Sequence, residues 1–272
     1  MQGGRPRPLP KQVAGSVPLF KVMPMIVSLS TLAQYGYGHG GYGPQYSMTH
    51  IVIIGVSFLV SMLVSGTLKR RFAEYSQIPI RLSGAQVAEL MLAQNGIRDV
   101  QVVSVPGQLT DHYDPLKKTV NLSEDVYASN SVAAAAVAAH ECGHAVQHQQ
   151  AYVWLGLRSK MVPAVQFSSK LLNYVMIAGM LGVGLFHSAT MLWVWVGLFG
   201  VTTLFAFVTL PVEFDASRRA MIWMNSSGIA THIDHDRAKN ALFWAAMTYV
   251  AAAIGSLAQL LYFIMMAMGR RD

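Results

Sequence analysis

His140-Glu141-Cys142-Gly143-His144 reads H-E-x-x-H. It closes an alanine-rich run, Ser131 through Ala139, that no Gly or Pro interrupts, and such a run predicts a buried helix. Residues four apart share a helix face, so both imidazoles can reach one metal ion. Glu141 stands beside them as a general base for an activated water. That is the chemistry of a zinc hydrolase with two His ligands and an open coordination position. Cys142, the one cysteine of the chain, excludes an internal disulfide. It points away from the metal face and reads as a packing residue. His148, one turn further on, reads as a polar residue at the helix end.

Zinc in such a site needs a third protein ligand, acidic or His. Leu210-Pro211-Val212-Glu213-Phe214-Asp215 places two carboxylates at the edge of an apolar stretch. Acids are costly there unless paired or bound to metal. Glu213 is the chosen ligand, and Asp215 is a partner able to orient a ligand imidazole. A solvated helix start, with acids at the positive end of the dipole, is the bland alternative. His232 and His235 follow as candidates for holding a transition-state oxyanion, although caps and turns also use such residues. Asp111, His112 and Tyr113 are the remaining candidates for contact with substrate or transition state. Asx turn chemistry competes with that role in Asp111-His112-Tyr113-Asp114-Pro115.

The elements that must position these residues fall into two kinds. Ser83–Asn95 has apolar residues at helical spacing and stops at Asn95-Gly96. Val100, Val102, Val103 and Val105 make a strand, punctuated by Pro106-Gly107. Residues 111–115 read as a turn, 118–122 as a second short strand, and Ser123 begins a helical turn. Strand, turn, strand and the H-E-x-x-H helix together predict a compact zincin-like region. An edge strand there could hold an extended peptide through its backbone.

The second kind is membrane helix. Hydrophobic residues are 53% of the chain and charged residues only 12%, against about 25% charge in a soluble domain. No Asp, Glu, Lys or Arg occurs in Val22–Thr67, Leu171–Val212 or Asn240–Gly269. A bilayer core takes about 20 apolar residues per helix. The first stretch then holds one span, the second a hairpin turning near His187-Ser188-Ala189, and the third one more. The prediction is a mainly α membrane protein with about four transmembrane helices and a small α+β zincin-like catalytic region. Its segments are a flexible N-terminal extension (1–46), a first span (47–66), the catalytic region (67–167), a transmembrane hairpin (168–212), a loop with the third zinc ligand (213–240) and a last span (241–268). The extension carries four Pro and four cations in its first 21 residues, then the short apolar Val22–Ala33 and the low-complexity Tyr35–Gly43. No clear small-residue cleavage site marks a signal peptide.

Residues 67–170 and 213–239 hold 14 of the 20 basic and 12 of the 13 acidic residues. These segments are therefore the water-exposed working parts. Basic clusters beside the spans (Lys69 to Arg71, Arg158 to Lys170, Arg218 to Lys239) place them on the cytoplasmic face. The basic residues at the two chain ends fall on the other side, against that rule. A net charge of +7 suits a protein facing anionic lipid. No aromatic and basic stripe points to nucleic acid. Nothing sets an oligomeric state.

Three ordered segments carry a resemblance: Leu109 to Pro115, Val137 to His148 with H-E-x-x-H, and Leu210 to Ser217. With Thr248 to Ala252, the chain from about Ile51 onward resembles the YugP-type membrane zinc metallopeptidases of bacteria. That group is similar to HtpX-type and CAAX prenyl membrane proteases, whose third ligand lies in an E-x-x-x-D motif after a transmembrane helix. The Glu of that motif falls on Glu213, and its Asp falls on Ser217. The partner role is thus open between Asp215 and Ser217. The resemblance implies one Zn2+ per chain, a bacterial inner-membrane location and cleavage of protein or peptide substrates. The reading as a whole is a membrane zinc metalloendopeptidase, acting on membrane-associated or misfolded proteins. The rivals are a non-proteolytic scaffold or chaperone partner with a structural zinc, which would normally be closed by four ligands, and a metal transporter, which would need ionisable residues within its spans.

Overall fold

The computed structural model describes residues 48–180, 189–229 and 232–269. The N-terminal extension and the centre of the expected hairpin turn lie outside them. The elements are α1 (Met48–Tyr75), α2 (Gly84–Gln94), β1 (Gln101–Val105), β2 (His112–Asp114), β3 (Thr119–Ser123), α3 (Glu124–Ala128), α4 (Val132–Gln149), α5 (Val153–Met180), α6 (Ala189–Ser227) and α7 (His232–Gly269).

The expected catalytic region is built by short-range chemistry that the sequence displays. Ser83 caps α2 by accepting from the Gln86 N–H, and the Gln86 side chain returns to the Ser83 N–H, a capping box. Gly96, at φ +72°, lets the chain leave the helix at the predicted stop. Ser131 caps α4 through the Ala134 N–H. The three strands lie in the order β1-β3-β2, with β1 parallel and β2 antiparallel to β3. His112–Asp114 is therefore an edge strand, not a turn. The Asx chemistry sits one step later, where Asp114 Oδ1 accepts from the Leu116 and Lys117 N–H groups.

α4 runs through the middle of the main core. Its Ala135, Ala136, Ala138, Ala139 and Cys142 are fully buried. They pack with Val87, Met91, Val120 and Leu122 on one side and Ala220, Met224, Ala238 and Ala241 on the other. Alanines on every face let several elements approach one helix closely, which is why this helix is buried rather than amphipathic.

Three described helices are long and apolar enough to cross a membrane: 48–75, 190–227 and 234–269. The expected four are therefore corrected to three. The first half of the expected hairpin belongs to α5, which begins earlier, at Val153, and carries Arg158, Lys160 and Lys170. Beyond Lys170 its described part has ten residues, about 15 Å of helix against a hydrocarbon core of about 30 Å. α6 departs from expectation in the other direction. It does not end at the membrane edge but continues through Glu213 to Ser227, so residues 213–227 are helix rather than loop.

α1 and α6 bring their C-terminal ends to the expected catalytic region, and α7 its N-terminal end. Tyr75, at the end of α1, donates to Asn240 Oδ1 at the start of α7 (3.2 Å). The last turns of α6 join the same core. At the opposite end His50 stacks on Tyr262 (4.2 Å), and Trp195 and Phe199 pack edge-on against Phe263. Leu172 of α5 belongs to that distal cluster too.

Candidate metal centre

Two His side chains come from α4 and a carboxylate from α6. Glu213 Oε2 lies 3.2 Å from His140 Nε2 and 3.7 Å from His144 Nε2. The ligand atoms of His140, His144 and Glu213 all lie within 4.8 Å of one another, close enough to hold one metal ion. Two imidazole nitrogens and one carboxylate oxygen are a donor set that suits zinc. The crossing of the two helices depends on Gly143. A Cβ there would lie 2.6 Å from the Ala216 carbonyl oxygen, inside contact distance. The fourth residue of H-E-x-x-H is thus the point where α4 touches α6 backbone to backbone, between His140 and His144 on one helix and three residues beyond Glu213 on the other.

Each ligand has a partner on its far side. His140 Nδ1 lies 3.1 Å from Ser217 Oγ, one turn beyond Glu213. His144 Nδ1 lies 3.0 Å from Gln147 Oε1. Gln147 is fully buried and donates in turn to the Val212 carbonyl (2.8 Å) and to Asp215 Oδ2 (2.9 Å). Arg218 and Arg219 hold the Asp215 carboxylate at 2.8 and 2.5 Å. The sequence left Asp215 and Ser217 as alternatives for one role. The structure puts Ser217 directly on His140 and Asp215 behind His144, one amide removed. The outer oxygen of Glu213 faces Arg158 of α5 (Nη1–Oε1 3.7 Å), and the Tyr249 hydroxyl of α7 lies near the same carboxylate.

Glu141 is buried beside this group, close to the Tyr113 backbone N–H of β2. Burial lifts its carboxyl to about 7; the nearby Glu213 charge adds to the rise, and His140 opposes it. A carboxylate so placed exchanges protons readily near neutrality. Burial also pushes the Cys142 thiol up, and its Sγ rests 3.5 Å from the Ala88 carbonyl, as a packing residue would.

The other candidates stand apart from the ligand set. Asp111 accepts from the N–H (2.7 Å) and hydroxyl of Ser123, bracing β3, and burial raises its carboxyl. The His112 ring meets the Thr110 carbonyl at 2.6 Å. The Tyr113 hydroxyl pairs with His148 Nδ1 at 2.8 Å, while its backbone N–H lies close to Glu141. His235 lies 3.9 Å from Asp236, and the His232 side chain lies outside the described residues. Gln147, Arg158, Tyr249 and the role of Gly143 were not foreseen. Gln147 alone left a signal, an amide three residues after His144 on the same helix. Arg158 and Tyr249 come from other helices and have no local mark.

Comparison with known proteins agrees with this geometry. Residues 50–268 match the model of a family described as "Putative neutral zinc metallopeptidase". The chain is 40% identical over 224 residues to "Putative membrane protease YugP" of Bacillus subtilis (strain 168), covering 82% of this chain and 96% of that protein. No solved structure matches it. By family and by relative, then, the chain belongs to the family described as "Putative neutral zinc metallopeptidase".

Proposed function

We propose that the protein is a zinc metalloendopeptidase of the bacterial inner membrane, working on the cytoplasmic face. The observation that carries the proposal is the convergence of His140, His144 and Glu213 on one point with Glu141 beside it. Those three residues would hold zinc, which when bound polarises a carbonyl and lowers the pKa of water. Glu141 takes the proton of the attacking water and passes it to the leaving amine. Arg158 faces the outer oxygen of Glu213, while the inner one is turned to the two imidazoles. The zincin-like reading is supported by β2, an edge strand whose Tyr113 N–H lies close to Glu141. An extended peptide laid along that edge would pass the general base.

Charge supports the cytoplasmic reading. Lys69 to Arg71, Arg158, Arg218, Arg219, Arg237 and Lys239 all belong to the ends of helices that meet at the catalytic region. Proteins near the membrane surface, misfolded or membrane-associated, are the substrates within reach. Among the described residues three ligands gather, not four, which favours an open site over a structural zinc.

The test is Glu141→Gln in the purified, detergent-solubilised protein. The variant should keep one zinc per chain and lose about 100-fold or more in casein cleavage, the usual contribution of a general base. Cleavage at the wild-type rate would overturn the mechanism.

A further inference from the structure

We propose that Gln147 is the positioning residue of the centre: its side-chain amide fixes the tautomer of His144 and, through Asp215, ties that ligand to α6. The assignment rests on His144 being a zinc ligand.

The orientation of this amide is determined rather than free. Its Nε2 meets two acceptors, the Val212 carbonyl at 2.8 Å and Asp215 Oδ2 at 2.9 Å. Neither can donate, so both demand the NH2 end. Oε1 is thereby left for His144 Nδ1 at 3.0 Å. An amide oxygen only accepts, so His144 must carry its proton on Nδ1. The Nε2 lone pair then faces Glu213 and His140, where a metal would sit. Gln147 is fully buried, so water cannot take its place.

The chain extends outward. Asp215 is fixed by Arg218 and Arg219, and Arg219 also donates to Gln150 at the end of α4 (2.5 Å). The outcome is a closed loop: α4 and its C-cap present His144, Gln147 and Gln150, and α6 answers with Val212, Asp215 and Arg219. In zinc sites the outer partner of a His ligand is commonly a carboxylate or a backbone carbonyl. Here an amide stands between ring and carboxylate, so the ring is oriented without an anion at its own nitrogen.

The measurement is zinc affinity by chelator competition in the full-length solubilised protein, with thermal unfolding of the metal-free form followed alongside. Gln147→Met keeps the length of the side chain and removes its hydrogen bonds. It should weaken zinc binding about 10- to 100-fold, the range for loss of a ligand's outer partner. The exchange Gln147→Glu with Asp215→Asn restores an acceptor for His144 and a donor from position 215. It should recover most of the affinity. His144→Ala should lose zinc outright. Were Gln147 only a strut between helices, Gln147→Met would lower the unfolding temperature and leave zinc affinity within about twofold of wild type, and the proposal would fall. It would also fall if the exchange bound zinc no better than Gln147→Met. Should the metal-free Gln147→Met protein not fold, the exchange decides alone. Retention of zinc by His144→Ala would instead overturn the ligand assignment itself.

Discussion

Two helix seams in this protein use the same kinds of residue to different ends. At the α4–α6 seam, Gly143 and Ala216 touch so closely that one added methyl would reach 2.6 Å from a backbone oxygen. At the α1–α7 seam, a methyl on Gly255 would meet Ser57 at 3.5 Å, an ordinary contact. The helices differ likewise in what surrounds them. α4 is buried along nearly its whole length. α1 is apolar but only 11% of its membrane window is buried, leaving Ile51, Val52, Phe58 and Leu63 on the outside. Lipid tails satisfy such side chains as well as protein does, so a membrane helix needs little fit. The difference teaches where position matters: the seam that sets three ligand atoms is close-packed, and the seam that only keeps the bundle together is not.

The sharpest way to break that contrast is Gly143→Ala. The new Cβ must push α6 away by on the order of 1 Å, and a displacement of that size near a reacting centre costs about 100-fold in rate. Glu213 and Ser217 move with Ala216, so zinc content should fall together with peptidase activity. Zinc quantification and casein cleavage on the purified variant check this. Full zinc occupancy would mean that the seam yields without moving its ligands.

That site was legible in the sequence where it is local, and only there. His140 and His144 declare themselves because four residues make about one turn, and Ser83 and Asn95-Gly96 mark α2 by short-range capping. Glu213 could be found because an acid at the edge of an apolar stretch needs a reason. The run from Glu213 to Arg219 reads as loop because it is charged, yet its charges pair within the helix and across to Gln147 and Gln150. β2 was missed because three residues flanked by Asp and Pro carry more turn signal than strand signal; pairing with β3 decides their state. The fourth span failed because the apolar stretch from Leu171 was counted without the charged turns that precede it in the same helix.

A smaller effect is expected from Ser217→Ala, which keeps the backbone seam and removes only the partner of His140 Nδ1. Zinc affinity should fall about 10-fold, the lower end for such a partner, because the ring remains packed against His144 and Glu213. Chelator competition measures it. A fall as large as that of Gly143→Ala would show that hydrogen bonding, more than helix approach, sets the centre.

The smallest effect belongs to the looser seam. Gly255→Ala adds a methyl at 3.5 Å from the Ser57 Cβ and Oγ, a distance that needs no movement of either helix. Alanine also favours helix over glycine by about 1 kcal/mol, so α7 gains where α1 loses nothing. Casein cleavage should stay within about twofold of wild type, and the unfolding temperature should hold or rise. The comparison with Gly143→Ala is like for like: one methyl, on a helical glycine, facing another helix. If Gly255→Ala also abolished activity, the membrane seam would be as exacting as the catalytic one, and the division between a positioning seam and a merely cohesive one would be lost. If it behaves as expected, the precision of the centre resides in the contact between α4 and the membrane-proximal half of α6, and the bilayer part serves chiefly to deliver α6 to that contact.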